Sequence, residues 1–162
     1  MKTRRSQLGF TIIELMTVMV IAGVLLVIAL PSFNDMLARR RLEGQANEFA
    51  TDLAYAKSEA VQRNRNVLVQ TDPVGTTCYT IAVMPDPPTG SCNCAGCTGG
   101  PTVLKIVTLG NGATVTTNTL FTFEPVRGAL TPTTAASAAI ALGARSYTVQ
   151  VTAYGRVTPF TP

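Results

Sequence analysis

The chain has 162 residues, a formal net charge of +4 and no histidine, which excludes imidazole-based triads, His-containing catalytic zinc sites and imidazole acid–base chemistry. Its length allows one membrane helix and one modest folded core. The positive charge is not one basic face: Lys2, Arg4 and Arg5 crowd the N-terminus, bases and acids balance between residues 10 and 66, and Lys105, Arg127, Arg145 and Arg156 are nearly matched by Asp72, Asp86 and Glu124. The high isoelectric point therefore reports on the N-terminus and is not a nucleic-acid footprint.

The first element is a short basic leader that ends at Gly9, followed by an apolar run to Leu30. Counted from Phe10, that run has about the 20 residues needed to span a hydrocarbon layer. The basic residues ahead of it predict a cytoplasmic N-terminus, with everything beyond residue 33 on the opposite side. A secretory signal would carry its cleavage site after the apolar core. Here the candidate cleavage point, Gly9-Phe10, lies before it. Glu14 interrupts the apolar run near its start, and a carboxylate within a membrane helix costs roughly 3 kcal/mol on insertion scales. Such a residue points either to a functional pairing or to an acid held at the membrane interface.

Past Pro31 the pattern becomes amphipathic. Leu42, Ala46, Phe49, Leu53, Ala56 and Ala60 recur at steps of three and four, which marks one helical face. Arg39, Arg40, Arg41, Glu43, Glu48, Asp52, Lys57 and Arg63 fall largely on the other faces. One long helix is expected over residues 10–64, roughly 80 Å at 1.5 Å per residue. Its membrane-embedded half covers residues 10–31 and an amphipathic half covers 32–65. Pro31 should kink or loosen it, because it lacks an amide donor, with Gly23 and Gly44 as further weak points. The small residues Ala46, Ala50, Ala56 and Ala60 suit close approach of a sheet.

Residues 66–162 form the expected head. Short β-prone runs at 67–70, 78–84, 103–107, 120–123, 138–142 and 147–152 are separated by Gly, Pro, Asn or Ser/Thr clusters. With no helical pattern between them, they predict a small antiparallel sheet in an α+β head. Residues 131–137 read as an exposed loop. Cys78 and the cluster Cys92, Cys94 and Cys97 lie in or beside a Gly/Pro-rich loop over residues 85–101. Zinc binding is one reading of these thiols. Disulfides are favoured for a head exported to an oxidising compartment, and four cysteines allow three pairings. No metal or cofactor is expected, and neither a phosphate-binding glycine loop nor a paired-carboxylate signature points to an enzyme.

The segment Gly9-Phe10-Thr11-x-x-Glu14-Leu15 resembles the class III signal of type IV prepilins and type II secretion pseudopilins. The helix end from Tyr55 to Asn64, the run Phe123-x-Pro125-x-x-Gly128, and Tyr147-Thr148-Val149 with Gly155-Arg156-Val157 resemble the GspH/FimT group of minor pilins and pseudopilins. Together these segments extend the resemblance over most of the chain. It implies a type IV pilin-like fold, a long N-terminal helix packed on a small antiparallel head.

The resemblance also implies a set of roles. Prepilin peptidase would remove residues 1–9 by cutting between Gly9 and Phe10, and Phe10 would be N-methylated. Glu14 would pair with a neighbouring subunit's N-terminal amine in the filament. The implied partners are other pilins or pseudopilins, prepilin peptidase, an inner-membrane assembly platform and membrane lipid. The implied location is the bacterial inner membrane with a periplasmic head, and then a pilus or pseudopilus. The implied function is a structural minor pilin that primes or caps type IV pilus assembly, with a type II secretion pseudopilin as the alternative. Some FimT-like members bind DNA through a Gly-Arg-x-Arg motif; here Gly155 and Arg156 are present, Thr158 replaces the second arginine, and Arg156 is the candidate DNA contact.

Overall fold

A computed structural model of the chain describes residues 9–71 and 77–161. The leader cations Lys2, Arg4 and Arg5 lie outside the described residues, as does the side chain of Pro31. One helix, α1 (Ile12–Arg63), carries 52 residues, against the expected 10–64. Its C-terminus closes in a Schellman arrangement: Asn64 takes a left-handed φ of 50°, and the amides of Asn64 and Arg65 donate to Val61 and Ala60. Those bonds satisfy carbonyls that the helix end would otherwise leave open.

Two compact units divide the chain, the first ending at Ala38 and the second beginning at Arg39. In the first unit the described side chains of residues 9–28 are all exposed, including Phe10, Ile13, Leu25 and Ile28. Among the described residues no single helix is long and apolar enough to cross a membrane, but Ile12–Ile28 and Phe33–Arg63, which meet in a bend at residues 29–32, pass together by length and composition. Pro31 falls on that bend.

The second unit holds two four-stranded sheets and a two-stranded hairpin, where a single sheet was expected. In the first sheet the order is β5 (Thr102–Thr108), β2 (Cys78–Val83), β1 (Val67–Thr71) and β7 (Leu120–Phe123), all neighbours antiparallel. The second runs β10 (Val157–Thr161), β9 (Arg145–Val151), β8 (Ala136–Leu142) and β6 (Thr114–Val115), again antiparallel. β3 (Ser91–Asn93) and β4 (Gly96–Thr98) make the hairpin. Four of these strands were not anticipated. β3, β4 and β6 are too short to show alternation, and β10 contains Pro159, which argues against a strand anywhere but an edge. The expected loop at 131–137 is also shorter, since Ala136 and Ser137 already belong to β8.

One core joins these layers. The periodic face of α1, Leu42, Ala46, Phe49, Leu53, Ala56 and Ala60, is at most 1% exposed. It packs on Val69, Ile81 and Phe121 of the first sheet and on Ile140, Val149 and Val151 of the second. Ala50, expected on the buried face, is only partly buried at its margin. Phe49 meets Tyr79 edge-on at 4.8 Å and Phe121 at 6.2 Å between ring centroids.

β1 and β2 are buried on nearly every residue, because both faces of the first sheet are covered. α1 lies on one face, and the β3–β4 hairpin covers Leu68, Ala82 and Met84 on the other. Phe49→Ala should therefore destabilise the head by about 3–5 kcal/mol. Val126→Ala, at an exposed position, should change stability by no more than about 0.5 kcal/mol. Urea denaturation of the purified protein, followed by circular dichroism, measures both.

Candidate functional site

The N-terminal segment is set by its own capping chemistry. Thr11 precedes α1, its hydroxyl accepts a hydrogen bond from the Glu14 amide at 3.3 Å, and its carbonyl accepts from the Leu15 amide at 3.2 Å. This is the N-cap half of a Thr-x-x-Glu capping box. Glu14 occupies the first turn of α1, where a negative charge complements the helix dipole. Its carboxylate is exposed and has no partner among the described residues. Phe10, just ahead of the helix, is 82% exposed. Gly9, Phe10, Thr11 and Glu14 thus form one accessible cluster at the start of an uncovered apolar helix.

A second polar cluster lies inside the head. Asp52 was expected on a solvent face but is only 6% exposed. The Tyr79 hydroxyl donates to its Oδ2 at 2.7 Å, and Lys105 Nζ lies 2.8 Å from both carboxylate oxygens. A buried carboxylate is tolerable because it is paired and hydrogen-bonded. Burial pushes the Tyr79 hydroxyl well above the usual tyrosine range, and the hydrogen bond to Asp52 and the Asp52 and Glu48 charges push it the same way. The spacing offered a clue to this cluster: Asp52 is three residues after Phe49 and four before Ala56, at the margin of the buried face.

The two glycine motifs, far apart in sequence, meet in space. Gly155 has φ of 69° in the β9–β10 turn, and a Cβ there would run into the Gly128 carbonyl oxygen. Gly128 itself has φ of 62°, and a Cβ on it would stand 2.7 Å from the Lys57 stem. Lys57 Nζ closes the junction by donating to the carbonyls of Tyr154 at 3.3 Å and Gly155 at 3.1 Å. This junction ties α1 to the turns that follow β7 and β9.

Of Lys105, Arg127 and Arg145, the fold brings only Arg127 to a turn adjoining that of Arg156. Arg127 borders a groove of about 460 Å³ with Glu124, Thr133 and the 82% exposed Tyr154. Lys105 is held by Asp52, and Arg145 opens β9, whereas Arg156 follows its far end. Thr158, which stands in place of a second arginine, donates its hydroxyl to the Gln150 carbonyl.

All four cysteines are paired, Cys78 with Cys94 and Cys92 with Cys97. No thiolate is left for the zinc reading. Cys92 and Cys97 are directly opposed across the β3–β4 hairpin, while Cys94 ties its tip to the start of β2. The hairpin is held further by the Cys92 amide donating to Gln70 Oε1 at 3.0 Å and the Thr80 hydroxyl donating to the Asn93 carbonyl at 2.9 Å.

Comparison with known proteins adds to this geometry. A family model described as type II transport protein GspH matches residues 45–155, and one described as the prokaryotic N-terminal methylation motif matches residues 4–30. Two curated fimbrial proteins of Pseudomonas aeruginosa are each 33% identical over 72 residues, which is 44% of this chain and 46% of each relative. The chain therefore spans just under half the length of the curated relatives it matches. Two crystal structures of the type IV minor pilin FimU of Pseudomonas aeruginosa share the fold. One aligns with TM-score 0.54 at 23% identity over 75% of this chain and 93% of the other. The second gives 0.57 at 22% identity over 76% and 90%.

Two outcomes follow from the head's polar contacts. Because the Tyr79 hydroxyl is held neutral in the folded head, the unfolded chain loses the proton first. The associated stability is complete below about pH 10 and declines at higher pH by up to about 1.4 kcal/mol per unit. Alkaline absorbance titration should show one of the four tyrosines ionising only as the head unfolds, and Tyr79→Phe should abolish that lagging component. Gly155→Ala should cost about 1–3 kcal/mol, since it adds left-handed strain and a clash with Gly128; a thermal melt of the purified variant checks this.

Proposed function

The chain belongs to the GspH family, and from that premise we propose that it is a minor pilin of a type IV pilus, processed by prepilin peptidase and acting in the priming or capping of filament assembly. The observation that carries this reading is the Glu14 carboxylate, without a partner among the described residues, on the first turn of an apolar helix whose side chains are exposed over residues 12–28, within a stretch that matches the N-terminal methylation motif. An apolar surface of this extent belongs in lipid or against other apolar helices. In this proposal the subunit waits in the inner membrane with its leader cytoplasmic and its head periplasmic.

The peptidase cuts the Gly9–Phe10 bond, and the Phe10 amine is then methylated. Thr11 and Glu14 already form the cap of a finished helix, so α1 needs no rebuilding after the cut. In the filament the helices bundle, and Glu14 of one subunit meets the Phe10 amine of another. The two charges compensate each other where each alone would be costly to bury. The bend at Pro31 lets the apolar half follow a bundle axis independently of the half held by the head.

A second reading, a minor pseudopilin of a type II secretion system, is favoured by the description of the matched family model. It uses the same processing and the same Glu14 pairing. A clean deletion strain, complemented with the intact gene, separates the two: loss of surface pili with normal secretion is expected, and the reverse would move the subunit to the secretion machine. Glu14→Ala should leave the processed mass of the chain unchanged but remove it from the sheared filament fraction. Gly9→Val should leave the chain uncut. Normal recovery of Glu14→Ala in filaments would end the pairing role.

A further inference from the structure

A groove that plays no part in the proposed assembly lies beside the junction of Gly128 with Gly155. It holds about 460 Å³ and is bordered by Glu124 and Arg127 from the turn after β7, by Thr133, and by Tyr154 from the β9–β10 turn, with Ala129 and Ala153 among them. That volume lies in the range of clefts that take a small ligand. Main-chain hydrogen bonds tie its walls together. The Glu124 amide donates to the Ala129 carbonyl at 2.8 Å, the Leu130 amide to the Ala153 carbonyl at 2.9 Å, and the Thr131 amide to the Thr122 carbonyl at 2.8 Å. Lys57 holds the Tyr154 carbonyl from α1. The groove is therefore built on backbone that the fold already fixes.

Its side chains are not used up by the fold. Glu124 and Arg127 border the same groove, yet among the described residues they form no ion pair with each other or with any other group. Tyr154 is 82% exposed, whereas Tyr79 and Tyr147 are buried. A tyrosine that gives the core so little contact leaves its ring face free for a ligand. The alanines at 129 and 153 are small enough to keep the space beside that ring open.

The lining selects among ligand classes. The Glu124 carboxylate repels phosphate and other anions, and the Arg127 guanidinium repels a free cation, so the groove favours a ligand without net charge. Such a ligand must offer donors to the carboxylate and acceptors to the guanidinium, and the Thr133 hydroxyl can meet either. The face of an aromatic ring is negative and attracts the weakly positive C–H bonds of a flat apolar surface. A pyranose ring with equatorial hydroxyls meets all these conditions: its edge carries groups that both donate and accept, and its two faces carry C–H bonds.

We propose that this groove is a saccharide-binding site, which takes a neutral chain of pyranose units with one ring stacked on Tyr154 and its hydroxyls shared between Glu124 and Arg127. The fixed turns supply the alignment, so the ligand orders few protein groups on binding. The site needs neither Glu14 nor the apolar half of α1, and it stands apart from the minor-pilin reading.

The test uses the full chain in a detergent without a sugar headgroup, with cellotriose and chitotriose as probes and saturation-transfer NMR as the readout. Transfer to the ring C–H protons of at least one trisaccharide is expected. Tyr154→Ser should reduce that transfer several-fold and Tyr154→Phe should retain it, with the thermal melt of the head unchanged in both. Arg127→Ala should also weaken it, whereas Tyr55→Ser, on α1 away from the groove, should not. No transfer to either trisaccharide, or transfer that survives Tyr154→Ser, would overturn the inference. So would Tyr154-dependent binding of a single-stranded thymidine oligonucleotide without any sugar transfer, which would assign the groove to stacked bases.

Discussion

The packing of one small-residue stripe of α1 into the space between two sheets is the contact on which the head depends. Leu42, Ala46, Phe49, Leu53, Ala56 and Ala60 lie on the inner faces of both sheets at once, so neither sheet has a core without the helix. Alanines at the steps between the larger residues let the backbones approach, and Phe49 fills the resulting space against Tyr79 and Phe121. Close packing of this kind makes the half of α1 beyond Arg39 a rigid part of the head. The two sheets are then joined a second time at the surface, where Lys57 reaches the β9–β10 turn and Gly155 rests on Gly128.

Polar groups at the margin of that core fix its alignment. Asp52 is deep enough to require partners, and it takes one from β2 and one from β5. A shift of α1 by one residue would leave the carboxylate and the Tyr79 hydroxyl unpaired, which an apolar contact alone would not penalise as sharply. On the opposite face of the first sheet the cover is only an eight-residue hairpin, residues 91–98, too short to hold itself by apolar contact. Its two disulfides restrict the unfolded chain and keep it over Leu68 and Met84. The compartment in which the head folds therefore bears directly on whether that face is closed.

The first half of α1 has the opposite design. Its side chains over residues 12–28 are all exposed, so its stability in isolation counts for little and its surroundings for everything. The proposed assembly mechanism follows this logic: a capped, apolar helix whose Glu14 carboxylate has no partner among the described residues is incomplete in the single chain. Helix bundling and charge pairing would complete it.

Much of this was readable from residue order. The periodic stripe of α1, the apolar run interrupted by Glu14 and the β-prone runs of the head are local patterns, carried by residues within a turn or a strand of each other. What residue order left open depends on chain segments far apart in sequence. Nothing near Asp52 announces that Tyr79 and Lys105 will reach it, nothing in the spacing of the cysteines selects Cys78–Cys94 among the possible pairings, and Gly128 and Gly155 look like unrelated turns until they touch. The division of the strands into two sheets likewise follows from register and from what covers each face. Local chemistry sets which elements form and where a charge is anomalous, whereas pairing, depth and exposure are properties of the packed chain.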